Sequence, residues 1–172
     1  MDEQALPVPF VKSVFHATDF SAASDTAFVH ALAIALLRAG ELTIMNTGPE
    51  HRDGPDWSRY PGVRKTLEDW NVLPPQSPAE AVFEKLGVKV NKVASGSRNT
   101  IGALAEYLDD NPADLLVLAT DTGTGLPKWL RGSVAQSVAK RSDTMTLFLP
   151  GGCAGFVVRG SGSDISRVTE GM

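Results

Sequence analysis

The residues best placed to do chemistry in this chain lie in one stretch, Asp114–Lys140, DLLVLATDTGTGLPKWLRGSVAQSVAK. The apolar run Leu115–Ala119 is followed by a loop holding Gly123, Gly125 and Gly132, and then by Val134 and Val138 at helical spacing. Ser133 and Gln136 fit a capping box, in which the hydroxyl accepts from the backbone three residues on. A buried strand, a glycine loop and a helix start can present unpaired backbone N–H groups to an anion, because the first helical turn has no internal acceptors for its donors. The same glycines would equally serve a plain strand-to-helix crossover, and pattern alone leaves both readings open. Lys128 and Arg131 are candidates to pair with phosphate oxygens or to form a solvated face, whereas Asp121 opposes a triphosphate unless a divalent cation bridges them. Asp19 ends the first apolar run. It would either hydrogen-bond a ligand or cap the following helix, a role open to Ser21 as well.

Other chemistries find little support. His16, His30 and His51 have no zinc-motif spacing, and neither a nucleophile elbow nor a Walker loop is present. The pairs Glu68-Asp69 and Asp109-Asp110 fall on helix surfaces or ends, so solvated faces are their default. A single cysteine, Cys153, excludes an internal disulfide and a cysteine metal cluster.

Periodicity supplies the elements that must carry these residues. Strands are predicted at Phe10–Ala17, Glu41–Asn46, Val88–Ala94, Leu115–Ala119 and Thr144–Leu149. Helices are predicted at Ala22–Ala39, around Val63, Leu67 and Trp70, from Ser77 to Leu86 with Pro78 and Glu80 completing a capping signature, from Asn99 to Asp110, and from Ser133 to about Arg141. Strands alternating with helices imply an α/β fold, a parallel sheet with helices on both faces. In such a sheet ligands lie beyond the carboxyl ends of the strands, where strand order reverses. If strands one and four are neighbours, Thr18–Ser21 and Thr120–Ser133 line one crevice. Thr47–Ser77, rich in proline and containing Trp57 and Trp70, is expected to be a surface connection with its tryptophans packed on the core, or else a lid or partner-facing loop. Residues 1–150 form one domain in this reading. Residues 151–172 form a glycine-rich tail or short hairpin around Phe156–Val158.

The formal net charge of −4 offers no broad basic field for nucleic acid or an anionic membrane. No apolar run approaches the roughly 18 residues of a membrane span, and Met1–Pro9 lacks the apolar core of a signal peptide. A cytoplasmic protein is therefore expected.

HATDFSAASDTAFVHALAIA, ELTIMN and ADLLVLATDTGTGLPKWLRGSVAQSVAKRSDTMTLFL together resemble the universal stress protein family, in the family's order, over most of Val11–Leu149. The resemblance implies a five-stranded, Rossmann-like parallel sheet ordered 3-2-1-4-5. It also implies a homodimer, or a pseudo-dimer of tandem domains, often joined through the last strand, with the C-terminal tail as the other candidate joint. Many members bind ATP, with magnesium, through glycines at positions that correspond here to Ala119, Thr122 and Gly132. Two of the three are therefore altered. Ala17, Thr18, Asp19 and Thr47 match the adenosine side of that site, and Ser133 and Val134 match the helix start facing the phosphates. Three functions follow as expectations: an adenine-nucleotide-binding stress module, a nucleotide-free dimeric interaction module whose phosphate loop Ala119 and Thr122 close, or a slow nucleotide hydrolase. No base or nucleophile is visible for the last.

Overall fold

The computed structural model describes residues 11–120, 144–153 and 155–157. Five strands, β1 (Ser13–Ala17), β2 (Glu41–Thr47), β3 (Lys89–Ser95), β4 (Leu115–Thr120) and β5 (Met145–Pro150), form one sheet in the order β3-β2-β1-β4-β5. Every neighbouring pair is parallel. The expected α/β architecture and strand order are therefore present, with strand ends shifted by up to three residues from those read by periodicity.

β1 sits at the centre, Val14 between Leu42 and Leu115 and His16 between Ile44 and Val117. Alternation along the strands divides the apolar side chains between two layers. Val14, Leu42, Ile44, Leu115, Val117 and Ala119 pack with the helix α1 (Ala22–Arg38), while Phe15, Ala17, Met45, Leu116 and Leu118 pack with Leu104 and Leu108 of a helix on the other face. Both faces being covered explains why Leu115–Ala119 reads as an unbroken apolar run. At the amino ends, Asp114 stitches β1 to β4. Its Oδ2 accepts from the backbone N–H groups of Lys12 and Ser13, each at 2.8 Å, and from the Ser13 hydroxyl.

α1 begins as expected, with Ser21 accepting from the Ser24 N–H. Its end differs in detail. The left-handed residue is Ala39 (φ 46°), not Gly40. Gly40 is needed for a separate reason, since a Cβ there would overlap the Lys12 carbonyl oxygen. A left-handed alanine costs about 1 kcal/mol. Ala39→Gly is therefore expected to raise unfolding stability in urea by about that amount, less a few tenths for the freer unfolded chain.

Three shorter helices follow: α2 (Val63–Asp69), α3 (Ala81–Leu86) and α4 (Thr100–Asp110). Asn99 caps α4, accepting from the Gly102 N–H at 3.0 Å. The predicted cap of α3 does not form. The Ser77 hydroxyl donates instead to the Pro74 carbonyl, and its N–H donates to Glu68. The proline corner takes Ser77 for itself, and a tight turn of i to i−3 bonds leads from Pro78 into the regular helix at Ala81. The irregular connection before α3 divides its tryptophans. Trp70 is buried with Val63, Leu67 and Leu73 in the α1-side core, whereas Trp57 is exposed.

Beyond β5 a turn closes with the Cys153 N–H on the Pro150 carbonyl. Phe156 and Val157 then donate their N–H groups to Nε2 of His30, at 3.0 and 3.2 Å. Nε2 must be unprotonated to accept both, so Nδ1 carries the proton and donates to the Thr26 carbonyl at 2.7 Å. Gly155 (φ 60°) permits the approach, because a Cβ would collide with the imidazole. Burial holds the His30 pKa below its ordinary 6.5. A group so shifted contributes fully above that ordinary value, and its contribution is lost as pH falls through the lowered one. The amide resonances of Phe156 and Val157 are expected to move together on acidification, and His30→Ala should show the shifted positions already at neutral pH.

Candidate functional site

The turn after β1 carries the site. Thr18 continues the sheet by donating its N–H to the Met45 carbonyl at 2.9 Å. Its hydroxyl accepts from the Phe20 N–H at 3.0 Å. Oδ1 of Asp19 accepts from the Ser21 N–H at 3.0 Å and from the Ser24 hydroxyl at 2.7 Å. Asp19 therefore shapes the turn, while the cap of α1 falls to Ser21 rather than to the carboxylate. Oδ2 accepts no hydrogen bond among the described residues. Partial desolvation opposes ionisation of Asp19, but the hydrogen bonds from Ser21 and Ser24 outweigh it, and its pKa lies below the usual carboxylate value. The turn is tight enough that Phe20 adopts φ 61°, a left-handed conformation that bulky residues rarely hold.

Ala17, Thr18 and Asp19 line an open cleft of about 80 Å³ together with Met45, Asn46 and Thr47 at the end of β2, and Thr100 and Leu104 of α4. Ala17, Met45 and Leu104 give it an apolar floor. Polar groups rim it, with the Thr47 hydroxyl donating to that of Thr100 at 2.8 Å. The Asn46 side-chain N–H donates to the Thr18 carbonyl at 2.7 Å, and the Asn46 side-chain oxygen is paired with Nε2 of His51. An apolar floor with few convergent polar groups suits a flat heteroaromatic ring bearing hydroxyls. A hydroxyl or amino donor could be taken by Oδ2 of Asp19.

Four predicted residues, Ala17, Thr18, Asp19 and Thr47, thus meet in one cleft. Ala119 lies near the end of β4 and packs into the α1-side core. Thr122, Gly123, Gly125, Gly132, Ser133 and Val134, with Lys128 and Arg131, lie outside the described residues. Asn46, Thr100, Leu104 and His51 were not singled out by sequence. The available signals were a polar residue ending an apolar strand and one following the Asn99 cap. His16 stands apart from the cleft lining. It is fully buried, and Nδ1 donates to the Val117 carbonyl at 3.0 Å. No cluster of three or more potential metal ligands occurs among the described residues, and none of their helices is long and apolar enough to cross a membrane.

A parallel sheet ordered β3-β2-β1-β4-β5, with a cleft at the carboxyl end of its central strand, defines a doubly wound α/β protein. The profile described as "Universal stress protein family" matches residues 11–150, and the chain belongs to that family. Among solved structures, a universal stress protein from Archaeoglobus fulgidus DSM 4304 is 22% identical with a TM-score of 0.52, over 82% of this chain and 44% of that one. A universal stress protein crystallised with cAMP is 23% identical over 81% of this chain and 97% of its own, with a TM-score of 0.49. The protein UspA from Lactobacillus plantarum is 18% identical over 83% and 99%, with a TM-score of 0.45. No curated protein matches the sequence.

Proposed function

We propose that the protein is a stress-response module that binds an adenine nucleotide at the carboxyl edge of its sheet. Asp19 takes the adenosine side through Oδ2, Thr18 and Thr47 border it, and the loop from Gly123 to Val134 receives the phosphates, with magnesium accompanying ATP. The observation that carries this is the cleft itself: an apolar floor, a hydroxyl rim and one carboxylate oxygen without a described donor, all at the end of β1. The second reading, a nucleotide-free interaction module, now draws mainly on Thr122, because the Ala119 methyl packs into the core. In either reading we propose a homodimer through β5. That strand is at the sheet edge and leaves Met145 and Phe148 exposed.

The test is to purify the protein natively, denature it and assay for released adenine nucleotide, then to titrate ATP with magnesium. At a hundredfold excess over Kd, bound ligand raises apparent stability by about 2.7 kcal/mol. Asp19→Asn keeps an acceptor for Ser21 and Ser24 but removes the charge, and is expected to weaken binding about tenfold or more. Neither release nor a melting shift would favour the second reading, and Thr122→Gly would then restore binding if sterics alone close the loop. Sedimentation of wild type against Phe148→Lys tests the dimer.

A further inference from the structure

The connection between β2 and α2 supplies no ligand contact in the proposal above, yet two of its side chains brace the turn that bears Asp19. We infer that His51 and Tyr60 are positioning residues, fixing the Thr18–Phe20 turn so that Oδ2 of Asp19 is held at the cleft. This rests on the proposed nucleotide site.

The first brace runs from His51 through Asn46 to Thr18. Asn46 is buried, and its amide N–H donates to the Thr18 carbonyl, so its oxygen must accept and His51 must carry its proton on Nε2. Flipping that amide would set oxygen against oxygen and N–H against N–H. The acceptor-only Thr18 carbonyl sets the direction of Asn46, His51 holds the amide there by donating to its oxygen, and Asn46 ties down the peptide preceding Asp19. The other imidazole nitrogen, Nδ1, is buried with no hydrogen-bond partner among the described residues. What the histidine supplies here is the Nε2 donor to the Asn46 oxygen.

The second brace acts on the residue after Asp19. The Tyr60 hydroxyl donates to the Val93 carbonyl at 2.6 Å, anchoring the ring to β3. That ring meets Phe20 edge-on at 5.3 Å between centroids, and the Arg59 guanidinium lies 4.6 Å from the Phe20 ring centre. Strained left-handed backbone persists only where surroundings over-determine it. Clamping Phe20 is what keeps its φ of 61°. Asp19 thus lies between a peptide tied to β2 and a side chain clamped to the connection.

The experiment measures affinity for ATP with magnesium, and for adenosine, in wild type, His51→Ala, His51→Gln, Asp19→Asn and the double variant His51→Ala/Asp19→Asn. It also follows the Asp19 carboxyl titration by NMR in the same proteins where the carboxylate is retained. His51→Ala is expected to weaken binding about tenfold, the worth of one buried hydrogen bond. His51→Gln, whose amide can donate to Asn46, should recover most of it. Asp19→Asn should cost much less in the His51→Ala background than in wild type, because the carboxylate is already misplaced. Asp19 should titrate closer to its ordinary value in His51→Ala but not in His51→Gln. Additive losses, or an unmoved Asp19 titration, overturn the inference. If wild type binds neither ligand while the Asp19 titration still shifts, the nucleotide reading fails and the brace stands.

Discussion

Leu67→Ala is expected to cost 2–5 kcal/mol of unfolding stability, the range for emptying a closed leucine site. Leu67 is fully buried although it lies on α2, within the proline-rich connection that its sequence marks as surface. Its neighbours in the core are Val63, Trp70, Leu73 and the α1 face. Its carbonyl also accepts from the N–H groups of Val72 and Leu73, at 2.9 and 3.2 Å, closing the end of the helix. A true surface connection would tolerate the change within about 0.5 kcal/mol. Urea unfolding distinguishes the two, provided the slope with denaturant is unchanged.

Acidification is expected to have an effect of similar size through His16. Burial, only partly offset by the hydrogen bond to Val117 and by the charge of Asp19, lowers its pKa to about 4. The unfolded chain titrates near 6.5, so between those values it binds a proton that the folded chain refuses. Stability is complete above pH 6.5 and falls by about 3 kcal/mol as pH drops to 4. His16→Leu should remove that part of the slope, leaving the smaller contribution of His30. Equal losses in wild type and variant over this window would show that His16 is not the group responsible.

Legibility in the sequence followed the range of the interaction. Strands with unbroken apolar runs, and α1 with its serine cap, were readable because neighbours within a few residues decide them. The order of the sheet came from family resemblance, since periodicity does not say which strands touch. Ser77 misled: its spacing to Glu80 suits a cap, but the turn at Pro74 competes for the same hydroxyl. A left-handed stop at Ala39 is not legible in the sequence, because glycine is the usual occupant of such a position and Gly40 follows directly, while the close approach of Lys12 that requires Gly40 is a contact across the fold. On the site, Asp19 and Thr18 were visible as polar residues ending an apolar strand. His51 was not, because its worth depends on a turn that brings it back to Asn46, and no motif encodes that return.

The position of β1 has a consequence for synthesis on the ribosome. One flank of the strand pairs with β2, the next strand made. The other waits for β4, with His16 and Val117 separated by 101 residues. At about 5–20 residues per second, that interval is roughly 5–20 s of translation. Throughout it the nascent half-sheet exposes an inner edge that will later be the middle of the protein, a template to which another unfinished chain could add.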